Sequence, residues 1–222
     1  IKVFADYIDG HKTFDEQVSF SIERVGGIKL LRKYRKAQLI SEFIKENKIE
    51  GIIADHWKSL ELIKTSKKKY CLIHSKEINH KKTSNINKRL VSVLNNVEKV
   101  IANSEFTKNL AIDCGVNENK IIVINPGVDL AEELNKKSLD KVESLLKVKS
   151  PRLITVSRFD KRKNHEKVVM ALRNLKQIYP DIVYICIGHG DEEENIKTLV
   201  KELDLEGQVM FFKDISNELK NA

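Results

Sequence analysis

Hydrophobic residues along this chain fall into short continuous runs, separated by segments in which they recur every three or four positions. The clearest case is Leu153 to Gly190. Leu153-Ile154-Thr155-Val156 is short, apolar and β-branched, the make-up of a buried strand. A polar, strongly cationic turn follows, Ser157-Arg158-Phe159-Asp160-Lys161-Arg162-Lys163-Asn164. Val168, Ala171 or Leu172, Leu175 and Ile178 then share one helical face, closed by Tyr179-Pro180. Ile182 to Ile187 is a second apolar run and ends at Gly188-His189-Gly190. Strand, turn, helix and strand in this order predict a βαβ unit with parallel strands.

The same two periods organise the rest. Ile1 to Tyr7 and Val18 to Val25 read as strands, and Leu30 to Asn47 as a long amphipathic helix that buries Leu30, Tyr34, Ala37, Ile40 and Ile44. Short strands are predicted at Gly51–Ala54, Tyr70–Ile73, Val100–Ala102 and Ile121–Ile124. Helices are predicted around Leu60–Lys64 and over Asn85–Val97 and Phe106–Asp113. Asp129 to Ser150 is polar and partly helical. Asp191 and Glu194 have capping-box spacing before a helix over Ile196–Leu203, Val209–Phe212 is a last strand, and a new element starts at Ser216. Alternating strands and helices predict an α/β protein with parallel sheets, in two domains, 1–149 and 150–222.

At 222 residues and 41% hydrophobic content the chain can bury a sizeable core. No apolar run approaches the roughly 20 residues of a membrane span, and the opening strand at Ile1 leads to the expectation of no signal peptide. The three cysteines are scattered, with Cys71 and Cys186 inside apolar strands and Cys114 before a helix-ending glycine; they read as reduced packing residues of a cytoplasmic protein. The histidines lack metal-ligand spacing. A net charge of +8 suits partners carrying phosphate, a nucleic acid or an anionic lipid surface among them. Lys67-Lys68-Lys69 and Lys81-Lys82 read most simply as solvated surface.

Chemistry concentrates at strand ends. Arg158 can hold two phosphate oxygens at once, and Lys163 brings an ammonium to the same turn. Such a pair would neutralise a diphosphate as its bond breaks, although a solvated basic turn has the same composition. Gly188 and Gly190 let a backbone approach a neighbour closely, but Glu193 breaks the dinucleotide fingerprint. His74 ends a buried strand, where a histidine meets either a backbone group or a substrate. Gly26-Gly27 lies between a strand and a basic helix, as a ligand-facing glycine turn or an ordinary flexible one.

Several runs together resemble the family 4 glycosyltransferases. They are Val100-Ile101-Ala102-Asn103-Ser104-Glu105-Phe106-Thr107, Gly115-Val116, and Ile121-Ile122-Val123-Ile124-Asn125-Pro126-Gly127-Val128-Asp129. The likeness continues through Thr155-Val156-Ser157-Arg158-Phe159-Asp160, Lys163, Gly188-His189-Gly190-Asp191-Glu192-Glu193 and Val209-Met210-Phe211-Phe212. It is strongest over residues 98–218 and weaker from Gly51 to His74, where Trp57-Lys58 also fits. Pro126-Gly127-Val128-Asp129 looks most like the mannosyltransferase-type members.

The resemblance implies a GT-B fold of two Rossmann-like domains. It implies a retaining transferase that moves a sugar from a nucleotide diphosphate sugar to an acceptor hydroxyl, with no cofactor and no required metal. Arg158 and Lys163 then match the donor diphosphate clamp, and His74 the catalytic acceptor-side histidine. Gly188 and Gly190 match the turn beside the nucleotide, and Ile215 a position near the base. The implied partners are the donor and a carbohydrate or lipid-linked acceptor, at a cytoplasmic site with peripheral contact to the inner membrane face.

Ser157, Asn164 and Lys213 stand where the family favours glycine, and His189 where a small polar residue is usual. The family's glycine-rich first loop and its paired glutamates are not found in these 222 residues. Both domains are therefore expected to be incomplete, and the chain to turn over little. Two rival readings remain: a non-catalytic nucleotide-phosphate or interaction module, and a nucleic-acid binder using the lysine surface.

Overall fold

A computed structural model describes residues 1–128, 136–146, 149–213 and 215. The chain divides into two compact units, Ile1–Val128 and Asp129–Ala222. The first runs β1 (Lys2–Asp6), α1 (His11–Gln17), β2 (Ser21–Val25), α2 (Lys29–Glu46), β3 (Gly51–Ala54), α3 (Trp57–Leu60), β4 (Lys68–Ile73), α4 (Asn85–Asn95), β5 (Lys99–Ala102), α5 (Glu105–Cys114) and β6 (Ile121–Val123). The second runs α6 (Lys136–Leu146), β7 (Arg152–Val156), α7 (His165–Ile178), β8 (Val183–Ile187), α8 (Glu193–Glu202) and β9 (Val209–Phe212). Every strand pairing is parallel, in the orders β1-β2, β3-β4-β5-β6 and β7-β8-β9. The expected α/β class with parallel sheets is what the chain forms.

The division falls ahead of the expected boundary at 149/150. Arg152, the first residue of β7, forks onto Glu143 of α6 at 2.9 and 3.2 Å and reaches the Leu146 carbonyl. Those bonds tie α6 to the second unit. The expected segment Asp129–Asn135, and the element from Ser216, lie outside the described residues.

Helix α2 buries part of the face its apolar pattern suggests, with Ala37 buried and Ile40 and Ile44 half-buried. It is rotated, however, so that Leu30 is 79% and Tyr34 55% exposed. Asp6, at the end of β1, pairs with Arg32 and Lys36, and Phe43 meets Phe4 edge-on at 5.7 Å. Positions 32, 36 and 43 lie on one helical stripe, so the ion pairs and this ring contact select the buried side. Helix α1 has no apolar signature; Asp15, held down to about 2 by the Arg24 guanidinium, joins it to β2.

In the first unit the core gathers Trp57, Cys71, Ile73, Leu90, Leu94, Val100 and Ala102 beneath β3-β4-β5-β6. In the second it gathers Phe159, Val169, Leu172, Ile182, Tyr184, Cys186 and Leu205. All three cysteines are free and buried, and burial pushes the Cys71 and Cys186 thiols up to about 12. At neutral pH both thiols are protonated and unreactive, as packing residues should be.

Candidate nucleotide-phosphate site

Strand β7 delivers the cationic turn to the carboxyl edge of its sheet. Pairing with β8 carries on past the strand, as the Ser157 N–H donates to the Ile187 carbonyl at 3.0 Å. Lys161–Lys163 form a single 3-10 turn, capped by the Asp160 carboxylate, which accepts from the Lys163 N–H at 3.2 Å. Asn164 follows with φ 58°, a left-handed conformation that asparagine tolerates better than most residues, and α7 begins at His165. Arg158, Lys161, Arg162 and Lys163 all face solvent, with Asp160 as the carboxylate among them. The Arg158 side chain is 73% exposed and lies 3.4 Å from Asp160. Four cations around one engaged carboxylate make this edge an attractive place for an anion.

The glycine turn after β8 locks against the cationic turn. A Cβ on Gly188 would lie 2.0 Å from the Ser157 carbonyl oxygen, and one on Gly190 would lie 2.4 Å from that of Phe159. Gly188 also has φ 138°. The Phe159 N–H donates to the His189 carbonyl at 3.0 Å, and the Glu192 N–H to the Phe159 carbonyl at 3.1 Å. The close approach that glycine permits here is therefore between two segments of the chain itself. Gly188 and Gly190 bring the β8 turn onto the turn that carries Arg158 and Lys163.

The expected capping box at Asp191 and Glu194 does not form. Helix α8 starts at Glu193, so Glu192 rather than Asp191 stands at the cap position, without a side-chain cap, and its N–H donates to the Phe159 carbonyl. Glu193 turns inward instead, onto Lys197 at 2.8 Å and Lys213 at 3.1 Å. Its hydrogen bond from Lys197 holds its carboxyl below the usual range. Lys213 thus has a local partner at the end of β9. Ile215 is half-buried just beyond it.

Beneath the cationic turn lies a buried polar chain that composition did not flag. His165 Nδ1 is 2.8 Å from the Tyr184 hydroxyl, which donates to Thr155 Oγ1 at 3.0 Å. His165 Nε2 is 3.1 Å from Ser157 Oγ, and the Phe159 ring lies against the imidazole at 4.5 Å. Burial lowers the His165 pKa and raises that of Tyr184, so both are neutral at pH 7. The signal available beforehand was the histidine directly after Lys163-Asn164.

His74 belongs to the first unit, exposed at the end of β4. Its N–H donates to the Glu77 carboxylate, and Ser75 beside it has φ 82°. The Glu77 carbonyl accepts from Trp57 Nε1 at 3.0 Å, which anchors this turn on the core. His56 stands at the end of the neighbouring strand β3. Its Nδ1 accepts from the Lys58 N–H at 3.0 Å, and burial, followed by the Lys58 charge, lowers its pKa. A histidine just past each of two adjacent parallel strands was the available clue to His56. Among the described residues no group of three or more His, Cys, Asp or Glu side chains converges as a metal-ligand set.

With this geometry in hand, comparison with known proteins assigns the class. The pattern of Glycosyltransferase Family 4 matches residues 8–132, and that of Glycosyl transferases group 1 matches residues 136–222. The chain belongs to the family 4 glycosyltransferases. Its relatives include N-acetylgalactosamine-N,N'-diacetylbacillosaminyl-diphospho-undecaprenol 4-alpha-N-acetylgalactosaminyltransferase of Campylobacter jejuni, 27% identical over 137 residues, or 61% of this chain and 35% of the relative. An uncharacterized glycosyltransferase of Haemophilus influenzae is 29% identical over 114 residues, 51% of this chain and 30% of that protein. The matches thus span well under half the length of these curated relatives.

Solved structures agree on the fold. The Anabaena protein HepE in complex with UDP superposes with a TM-score of 0.76 at 17% identity, covering 99% of this chain and 70% of that one. The lipopolysaccharide outer core galactosyltransferase WaaB superposes at 0.61 and 13% identity, with 99% and 70% coverage. The fold is of the GT-B type.

Proposed function

We propose that the chain forms the donor-phosphate grip of an enzyme that moves a sugar, with retention, from a nucleotide diphosphate sugar to an acceptor hydroxyl. The carrying observation is the cationic turn Arg158–Lys163, locked at a strand end by Gly188 and Gly190 in a family 4 chain. As the sugar leaves, charge builds on the diphosphate oxygens. A guanidinium and an ammonium held at that edge favour this charged state over the bound donor. The balancing positive charge is assigned to Arg158 and Lys163, without a required metal or cofactor. Gly188 and Gly190 shape the turn beside the nucleotide, and Ile215 lies towards the base. His74 is placed on the acceptor side as the group nearest the transferred sugar. These 222 residues alone are expected to bind donor and turn it over little, because the family's paired glutamates are not among them.

UDP is the donor portion to test first, since the Anabaena structure contains it. The acceptor is a carbohydrate or a lipid-linked sugar, in keeping with the diphospho-undecaprenol in the Campylobacter relative's name. The reading places the protein in the cytoplasm with peripheral contact to the inner membrane face. The net charge of +8 suits that surface, and no described helix is long and apolar enough to cross a membrane.

Titration calorimetry with UDP tests the proposal at physiological salt. Arg158→Ala should weaken binding at least tenfold, about 1.4 kcal/mol, and Lys163→Ala should act in the same direction. Equal UDP affinity in wild type and Arg158→Ala would refute it. Tight binding of duplex DNA, unaffected by Arg158→Ala, would point to the lysine surface instead.

A further inference from the structure

We infer that His165 is a positioning residue for the diphosphate grip, a buried imidazole around which the cationic turn is wrapped and which fixes where Arg158 and Lys163 stand. The inference deepens the reading of that turn given above and rests on it.

The residue is 1% exposed, yet it touches β8 and the turn itself, and it reaches β7 through Tyr184. One nitrogen meets Tyr184 of β8, whose hydroxyl continues to Thr155 of β7. The other lies 3.1 Å from Ser157 Oγ, which in turn donates to the Arg158 carbonyl. Phe159 covers one side at 4.5 Å. Ser157 and Phe159, the residues on either side of Arg158, are thus both held by one side chain that comes from the far end of the turn, directly after Lys163-Asn164. The charged groups facing it are Asp160 and Lys163 of the turn, and the Tyr184 hydroxyl approaches from β8.

Packing alone does not ask for this residue. Leucine would fill a similar volume without two polar atoms to satisfy, and a buried polar network costs stability unless every member is paired. What the imidazole adds is direction. The exposed Arg158 guanidinium has one carboxylate partner, Asp160, at 3.4 Å, so its place is set mainly by its backbone. That backbone is tied to the β8 turn on one side, and His165 braces it from below through the Ser157 hydroxyl and the Phe159 ring. A preorganised cation pair gains affinity because less motion has to be frozen when the anion arrives.

The test compares UDP and UMP affinities in wild type, His165→Leu, His165→Gln and Tyr184→Phe, alongside amide exchange of residues 157–164. His165→Leu should lower the UDP-to-UMP affinity ratio about tenfold and speed turn exchange at least tenfold relative to β8. His165→Gln, which keeps a donor and an acceptor, should return the ratio to within threefold of wild type. Tyr184→Phe, the milder variant, should lower it about threefold and stands in if His165→Leu does not fold. A ratio and turn exchange unchanged in a folded His165→Leu or Tyr184→Phe would overturn the inference, as would a failure of His165→Gln to rescue. If wild type binds no UDP, the phosphate reading of the turn fails, and turn exchange then decides whether His165 orders it.

Discussion

The turn after β7 and the turn after β4 each leave a parallel strand and each carry a predicted site residue, but they are tied differently to what lies beneath. Strand β7 itself is not the buried strand its apolar run suggests, since Ile154 is 56% and Val156 55% exposed. The β7 turn is tied from below by neutral groups, His165, Tyr184, Thr155 and Ser157, and projects its cations outward. The β4 turn is tied by a carboxylate, since Glu77 accepts from the His74 N–H while Trp57 holds its backbone. With neutral bonds below and a single carboxylate, Asp160, among four cations, the β7 turn keeps an excess of positive charge for an outside anion. At His74 the anion's place beside the backbone is filled by the chain itself, which suits an uncharged hydroxyl better than a phosphate. The sign of charge near a strand end thus depends on which groups are spent in building the turn.

The comparison can be strained first at Trp57. It is fully buried, so Trp57→Ala should cost the first unit about 3–5 kcal/mol in urea unfolding, and loosen the His74 turn. A loss below about 1 kcal/mol would show that the Glu77 carboxylate holds that turn without the indole. Gly188→Ala comes next. Its methyl would collide with the Ser157 carbonyl at a left-handed φ, so roughly 3 kcal/mol should be lost from the second unit. UDP affinity should fall with it, and retention of both would mean the two turns can separate without consequence.

The smallest effect is one of pH. Burial holds the folded His165 pKa below its ordinary value of 6.5. The unfolded chain therefore takes up a proton first, and His165's neutral burial contributes fully above about pH 6.5. Stability should fall as pH drops from there through the folded pKa. The urea midpoint should decline more between pH 7 and pH 5 in wild type than in His165→Gln; equal declines would assign the change to other groups.

Much of this molecule could be read from local pattern. The apolar runs at Leu153–Val156 and Ile182–Ile187 became β7 and β8, and the family likeness from Val100 onward led to the GT-B fold. Arg158, Lys163, Gly188 and Gly190 were identified by type and spacing and do meet at one sheet edge. Other features were hidden because their causes lie elsewhere in the chain. His165 looks like a polar residue at a helix start until Tyr184, on the next strand, is brought beneath it. Helix α2 appears to bury Leu30 and Tyr34 until Asp6 takes up Arg32 and Lys36. The Asp191–Glu194 cap fails because α8 begins one residue later than a box needs, with Glu192 at the cap position and bonded to the Phe159 carbonyl.

Hydrophobic periodicity and turn composition were enough to set most of the strands and helices and where cations cluster, because those depend on neighbours a few residues apart. Helix α1 was not foreseen, and α3 lies ahead of the helix expected around Leu60–Lys64. Which side of a helix is buried, what the glycines approach and which polar groups pair out of water were settled by folding, because each rests on contacts between residues distant in sequence.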